Sequence, residues 1–146
     1  MALRSRSGRI AIGILHSDWT IDLQRCRRIR ETVASNVAVV FHRAFDITPD
    51  PIVALEQLID LGFTRVMTSG GARTALAGAD IICQPTERAR DCIEILPAGG
   101  IAPANVRELV ARTGCRQVHG SFRQRGSPYE ATDLLAVAAV RELLDS

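Results

Sequence analysis

Apolar residues along the chain fall into short runs that alternate with segments of helical periodicity. The most regular example begins at residues 37–41, where the side chains are apolar, mostly β-branched or aromatic, and uncharged. Such a run is typical of a strand buried on both faces. Asp50 and Pro51 then provide an N-cap and a first helical position, and apolar residues recur at helical spacing up to Gly62. The pattern therefore predicts one buried strand followed by one amphipathic helix.

The same strand and helix pattern recurs about every 25 residues. Strands are predicted at residues 10–15, 37–41, 65–68, 92–96 and 116–118. Helices are predicted at residues 22–34, 51–61, from about 72 onward, at 104–113 and at 132–144. Because a helix follows each strand, the repeat indicates a parallel α/β sheet with right-handed crossovers. Glycine pairs after two strands, without a G-x-G-x-x-G motif, favour a partial (β/α)8 TIM barrel of about five βα units.

Composition places this domain among ordinary soluble proteins. The chain has 146 residues, of which 47% are hydrophobic and 23% charged, which suits one domain at residues 9–146 behind a basic tail at residues 1–8. No apolar run is long enough for a membrane span, and no signal peptide is recognisable, so we expect a cytoplasmic protein without a membrane partner. A formal charge of +2 and few aromatic residues argue against a nucleic-acid partner.

The kinds of reactive side chain narrow the chemistry further. All 18 basic residues are Arg, so this chain offers no lysine for a pyridoxal phosphate Schiff base or a P-loop nucleotide site. The four cysteines show no C-x-x-C spacing. In a cytoplasmic protein they are expected to be reduced.

Polar side chains follow the predicted strands. All three histidines, His16, His42 and His119, come just after a strand, and parallel strands end on one side of a sheet. Because imidazoles bind copper or zinc, these three residues are a candidate metal site. The alternative is that each histidine is an ordinary hydrogen-bonded residue.

A second candidate chemistry is acid–base catalysis on a small anion. The catalytic candidates are His42, Arg43, Asp46 and His119, where Arg43 pairs with the anion and Asp46 or a histidine moves a proton. Glycine-rich loops can hold an anion through backbone amides, although they can also be plain turns. The anion-binding candidates are Ser69, Gly70, Gly71, Gly99, Gly100, Gly120 and Ser121.

Four motifs together resemble the copper homeostasis protein CutC family. They are F-H-R-A-F-D at residues 41–46, V-M-T-S-G-G at 66–71, P-A-G-G-I at 97–101 and V-H-G-S at 118–121, the last followed by Ser127 and Pro128. The resemblance covers residues 9–146. It implies a (β/α)8 barrel, a cytosolic protein associated with copper binding and homeostasis, and copper as the cofactor.

The resemblance also implies that this chain matches the C-terminal part of the family's fold, without the first three βα units. The cysteines proposed as copper ligands in the family belong to those units, and none of Cys26, Cys83, Cys92 or Cys115 matches them by position. Removing three units from a barrel exposes interior apolar side chains and two strand edges. We therefore expect either a homo-oligomer, in which a second copy covers this face, or a rearrangement of the chain that covers it.

Three functions stay open at this point. The first is a copper-associated binding protein of the CutC type. The second is a TIM-barrel enzyme that acts by acid–base chemistry on a small anionic or phosphorylated substrate. The third is a degenerate barrel fragment without a function of its own.

Overall fold

A computed structural model of the chain describes residues 8–124, 126 and 131–146. Within this part of the chain, four parallel strands form one sheet in the order β1-β2-β3-β4. The strands are β1 (Arg9–Ile12), β2 (Ala38–Phe41), β3 (Arg65–Thr68) and β4 (Glu94–Pro97). Because each strand pairs with the next one along the chain, the prediction of a partial (β/α)8 barrel is confirmed.

Helices connect and follow the strands. They are α1 (Leu23–Thr32), α2 (Pro51–Asp60), α3 (Ala79–Ala89), α4 (Val106–Thr113) and α5 (Leu134–Asp145), and a short 3-10 helix, Arg43–Ile47, follows β2. Three of the helices begin at an aspartate whose carboxylate accepts backbone N–H groups of the first turn, namely Asp22, Asp50 and Asp133. In the described part of the chain no helix is long and apolar enough to span a membrane.

The segment after β3 departs from the prediction. A helix was expected from about residue 72, but α3 begins only at Ala79. Gly70 and Gly78 pass so close together that a Cβ on Gly70 would lie 2.4 Å from the Gly78 carbonyl oxygen. This backbone contact holds residues 70–78 in turns. Pro85 lies inside α3, where it removes a helical hydrogen bond, and this explains why the helical pattern is weak in this part of the chain.

The predicted fifth strand is also different. Residues 116–118 do not form a strand; the chain meets β4 in a single parallel bridge between Ala98 and His119. The backbone N–H of His119 donates to the Pro97 carbonyl at 2.9 Å. The segment predicted as the fifth strand therefore pairs with the sheet through a single residue, His119. The predicted tail at residues 1–8 lies outside the described residues except for Gly8.

The main core lies between the sheet and the helices. Val39, Phe41 and Val66 belong to one buried cluster with helical residues such as Leu58 and Leu109. Side chains alternate along a strand, so Val40 and Leu96 face the other side of the sheet, toward the barrel interior. These two residues are only 6% and 8% exposed. Val40 and Leu96 therefore exclude most water, whereas Ala11, which lies level with Val40 on the same face, is exposed, as expected for a partial barrel.

Candidate functional site

The best-organised polar cluster lies where β2, β3 and β4 end, and we call the loops at this edge the carboxyl rim. Arg43 and Asp46 come from the 3-10 helix that follows β2. Side chains three residues apart eclipse one another in a 3-10 helix. Accordingly, Nε of Arg43 donates to Oδ2 of Asp46 at 2.8 Å.

The carboxylate of Asp46 is held by the loop that follows β3. It accepts hydrogen bonds from the Thr68 hydroxyl at 2.6 Å and from the Ser69 backbone N–H at 3.0 Å, and the Ser69 hydroxyl lies 2.9 Å from it. The side chain of Asp46 is 7% exposed. The Gly70 N–H donates to the Thr68 hydroxyl at 2.9 Å. The anion that this loop binds is therefore a carboxylate of the chain itself.

This arrangement bears on two predictions. Ser69, Gly70 and Gly71 were anion-binding candidates. The backbone N–H groups of Ser69 and Gly70 donate to Asp46 and Thr68, and the Gly71 nitrogen lies 3.5 Å from Asp46.

The second prediction was that Asp46 moves a proton. Burial acts to raise the pKa of Asp46, but hydrogen bonds from Thr68, Arg43 and Ser69 together lower it below 3.8. Asp46 is thus ionised and fully bonded at neutral pH. This suits a residue that positions Arg43 better than one that moves protons.

The guanidinium of Arg43 spans the rim from β2 toward β4. Its Nη2 donates to the Ser69 hydroxyl at 2.8 Å and lies 3.5 Å from the Ala72 carbonyl oxygen. Its Nη1 lies beside Gly99, where a Cβ would come within 3.3 Å of it. No acceptor for Nη1 is found among the described residues, and the side chain is 45% exposed. Arg43 therefore presents one fixed, solvent-accessible amino group.

The Gly99 and Gly100 loop lies next to that amino group. Both glycines have positive φ angles, of 111° and 68°. The Gly100 carbonyl accepts from the side-chain amide of Asn105 at 2.7 Å, and the Asn105 side-chain oxygen accepts from the Ala102 N–H. In the described part of the chain, the N–H groups of Gly99 and Gly100 have no protein acceptor. They are therefore unused donors in a loop that contacts the Arg43 guanidinium.

Two details of this loop were not foreseen. The helix after this loop was predicted from residue 104, but α4 begins at Val106, after a turn at residues 103–105. The role of Asn105 in bracketing the loop was missed. The sequence did contain a signal for this residue. Asn105 lies shortly after Pro103 and before an apolar helical pattern, and Asn is favoured where helices begin.

The histidines are placed separately. Nδ1 of His42 accepts the Ala44 backbone N–H at 3.0 Å, so a neutral His42 ring carries its proton on Nε2 and has no free lone pair for a metal. The ring lies over Gly13, where a Cβ would be 2.1 Å from it. His16 is exposed in the loop after β1, with Nδ1 3.9 Å from Asp22. His119 lies beside β4, and burial lowers its pKa below 6.5.

The structure does not support a metal site shared by His16, His42 and His119. Among residues 8–124, 126 and 131–146, no group of three or more His, Cys, Asp or Glu side chains could hold a metal ion. The reason is sheet order, because β1 and the His119 segment lie at opposite edges. Four strand spacings separate these edges, or roughly 19 Å along the sheet.

Gly120 and Ser121 follow the His119 bridge. A Cβ on Gly120 would lie 2.6 Å from the ring of Phe122, so a larger residue there would require that ring to move. The described residues provide no acceptor for the backbone N–H groups of Gly120 and Ser121. Their role as anion donors stays a prediction.

Comparison with known proteins gives one consistent family. The CutC family profile matches residues 3–124. A CutC family protein of Treponema denticola is 45% identical over 120 residues, which cover 82% of this chain and 48% of that protein. One of Caulobacter vibrioides is 41% identical over 124 residues, covering 85% and 49%. The chain thus spans about half the length of the curated relatives it matches.

Solved structures agree with the fold. The putative copper homeostasis protein CutC from Streptococcus agalactiae superposes with a TM-score of 0.71 at 32% identity, covering 75% of this chain and 54% of that one. A structure titled "Native KDPGal structure" superposes with a TM-score of 0.62 over 94% of this chain and 60% of that one. At 17% identity the second likeness concerns the fold alone.

Proposed function

Because the chain belongs to the CutC family, we propose that the carboxyl rim is its working site and that it binds a small anionic ligand there. One observation carries the proposal. The guanidinium of Arg43 is fixed by Asp46 and Ser69, yet the side chain is 45% exposed and its Nη1 lies beside Gly99. A fixed cation with unused donors loses little conformational entropy when it binds an anion.

The backbone amides of Gly99 and Gly100 supply the remaining donors. Glycine at position 99 leaves room for the guanidinium, and Asn105 holds the loop in place. Hydrogen bonds to an anionic acceptor, from a guanidinium or from a backbone amide, are shorter and stronger than those between two neutral groups. The ligand therefore lies between the ends of β2 and β4, in front of β3.

His119 is the proton-transfer group in the catalytic form of this proposal, an acid–base enzyme. It is placed one strand beyond Ala98, on the edge of β4 that adjoins the glycine loop. Partial burial lowers its pKa, which favours the unprotonated ring that can accept a proton. In this form Arg43 binds the anionic part of the substrate, and Asp46 keeps Arg43 in position.

A titration followed by NMR tests the binding proposal. Sodium formate or sodium sulfate is added to 15N-labelled protein at constant ionic strength, and the amide signals of Gly99 and Gly100 are followed. We expect saturable shifts that disappear in Arg43→Gln. Arg27→Gln, which removes the same charge from the exposed face of α1, should keep them. Equal shifts in both variants would contradict the proposal.

Copper handling is the second candidate, because the Streptococcus agalactiae relative is named a putative copper homeostasis protein. The supporting chemistry is that all four cysteines are free thiols, and Cu(I) prefers sulfur ligands. Free thiols also support a cytoplasmic location. Titration with Cu(I) under reducing conditions tests this function: stoichiometric binding that is lost in a variant with all four cysteines changed to serine supports it, and absence of binding refutes it.

Self-association is the partner arrangement that we propose. Arg9 and Ala11 of β1 are exposed, and β1 pairs with β2 on one side only within the described residues. An unpaired parallel edge offers backbone groups to a second copy. Sedimentation at several concentrations should show a dimer or larger species, and a monomer at all concentrations would refute this arrangement.

A further inference from the structure

The charge of Arg43 is already compensated inside the protein. Its Nε bonds to Asp46 at 2.8 Å, and Thr68 and Ser69 hold that carboxylate from the other side. With a side chain that is 7% exposed and saturated with donors, Asp46 cannot turn away when a ligand arrives. An incoming anion therefore meets an ion pair of zero net charge.

The donors left for a ligand are few. Nη2 of Arg43 is directed to Ser69 and Ala72, so the two-pronged contact through Nη1 and Nη2 that phosphate favours is blocked. What is left is Nη1 together with the amides of Gly99 and Gly100. This set can satisfy the two oxygens of a carboxylate, but not the four oxygens of a phosphate or sulfate.

The charged group nearest to the glycine loop is the guanidinium of Arg43. The atoms nearest to a Cβ on Gly99 are those of this guanidinium and the Arg73 carbonyl oxygen, and those nearest on Gly100 belong to Thr74. A carbonyl oxygen repels an anion weakly, and a threonine methyl and β-carbon are neutral. The cation in contact with the loop is therefore one that Asp46 already compensates.

Resting on the proposed function, we infer that the ligand of this rim is a monoanion, of which a carboxylate is the simplest class, and not a phosphoryl or sulfuryl dianion. Attraction to the site grows in proportion to the ligand's charge, whereas the cost of removing the ligand from water grows with the square of that charge. In the weak field of a compensated ion pair, the second charge costs more than it gains. Asp46 is thereby a specificity-determining residue as well as a positioning one.

The test compares ligands of fixed charge at pH 7.5 and constant ionic strength on the full chain. Formate, acetate and nitrate serve as monoanions and sulfate as the dianion, and dissociation constants come from the amide shifts of Gly99 and Gly100. We expect formate or acetate to bind about tenfold or more tightly than sulfate. Sulfate that binds as tightly as formate, with both lost in Arg43→Gln, would overturn the monoanion inference and leave the anion site standing. Absence of shifts with every anion would overturn the proposed function itself.

Asp46→Asn provides a second measurement, because it removes the compensating charge and nearly preserves the shape. In the variant that retains a native-like amide spectrum, the preference for formate over sulfate should fall by about tenfold. An unchanged preference would show that Asp46 does not set the selectivity. If Asp46→Asn does not fold, the ratio of formate to sulfate affinity in the wild-type protein still tests the monoanion inference.

Discussion

Replacing Asp46 by alanine should destabilise the protein by about 4 kcal/mol, because the change leaves buried donors without acceptors. The N–H of Ser69 and the hydroxyl of Thr68 both donate to this carboxylate, and Ser69 and Thr68 are 0% and 2% exposed. Each unsatisfied buried donor costs about 1–3 kcal/mol. The half-exposed ion pair with Arg43 adds only about 0.5–1 kcal/mol, because water screens it.

Urea unfolding followed by circular dichroism measures this loss. With a slope of about 2 kcal/mol per molar urea, the midpoint should fall by about 2 M. Asp60→Asn is the matched control, because Asp60 is exposed at the end of α2 and makes no recorded hydrogen bond; it should change stability by less than about 0.5 kcal/mol. An Asp46→Ala midpoint equal to that of the control would refute the view that Asp46 joins β2 to β3.

The pH dependence of the same difference is a further check. Hydrogen bonds lower the pKa of Asp46 below 3.8 in the folded protein, so ionised Asp46 favours folding at pH values above 3.8. This contribution is lost as the pH falls through the lower, folded-state pKa. The stability difference between wild type and Asp46→Ala should thus be constant from pH 7 to about pH 5 and shrink toward pH 3.

Three further predictions concern local structure. Asp50→Ala removes the carboxylate that accepts two N–H groups at the start of α2, and should lower stability by about 1 kcal/mol in a thermal melt. Gly70→Ala should lower the free energy of unfolding in urea by about 3 kcal/mol or more, because a Cβ would lie 2.4 Å from a backbone oxygen. Gly114→Ala is the control: Gly114 has a similar φ of 71° but open space around it, so the loss should be only about 1 kcal/mol. Burial, with a smaller contribution from a nearby aspartate, raises the pKa of Cys26 to about 11, so a thiol reagent at pH 8 should label exposed Cys92 within minutes and Cys26 only on unfolding.

The elements that the sequence predicts correctly are those whose signals lie within a few residues of one another. The strand at β2 and the start of α2 follow from a β-branched run and from Asp50 with Pro51, signals that lie within a few residues. The start of α3 could not be predicted, because it depends on the contact of Gly70 with Gly78. The 3-10 helix after β2 carries no distinct marker either.

The candidate site was predicted in outline for a similar reason. Arg43, Asp46 and Ser69 each follow a predicted strand, and this position indicates that they lie at one edge of the sheet. The sequence could not show that Asp46 would occupy the β3 loop, because that contact joins residues 23 positions apart. Nor could it separate the histidines, because their distance depends on how many strands lie between them.

The strands lie in the sheet in the same order as in the chain, and this order affects how the sheet can form during synthesis. Each new strand leaving the ribosome finds its only required partner already synthesised just before it, so the sheet can grow by addition to one edge. The Asp46 contact with the loop after β3 can close once Ser69 has been made, 23 residues after Asp46, and it then joins the ends of β2 and β3. Contacts of such short sequence separation form without a search among distant segments.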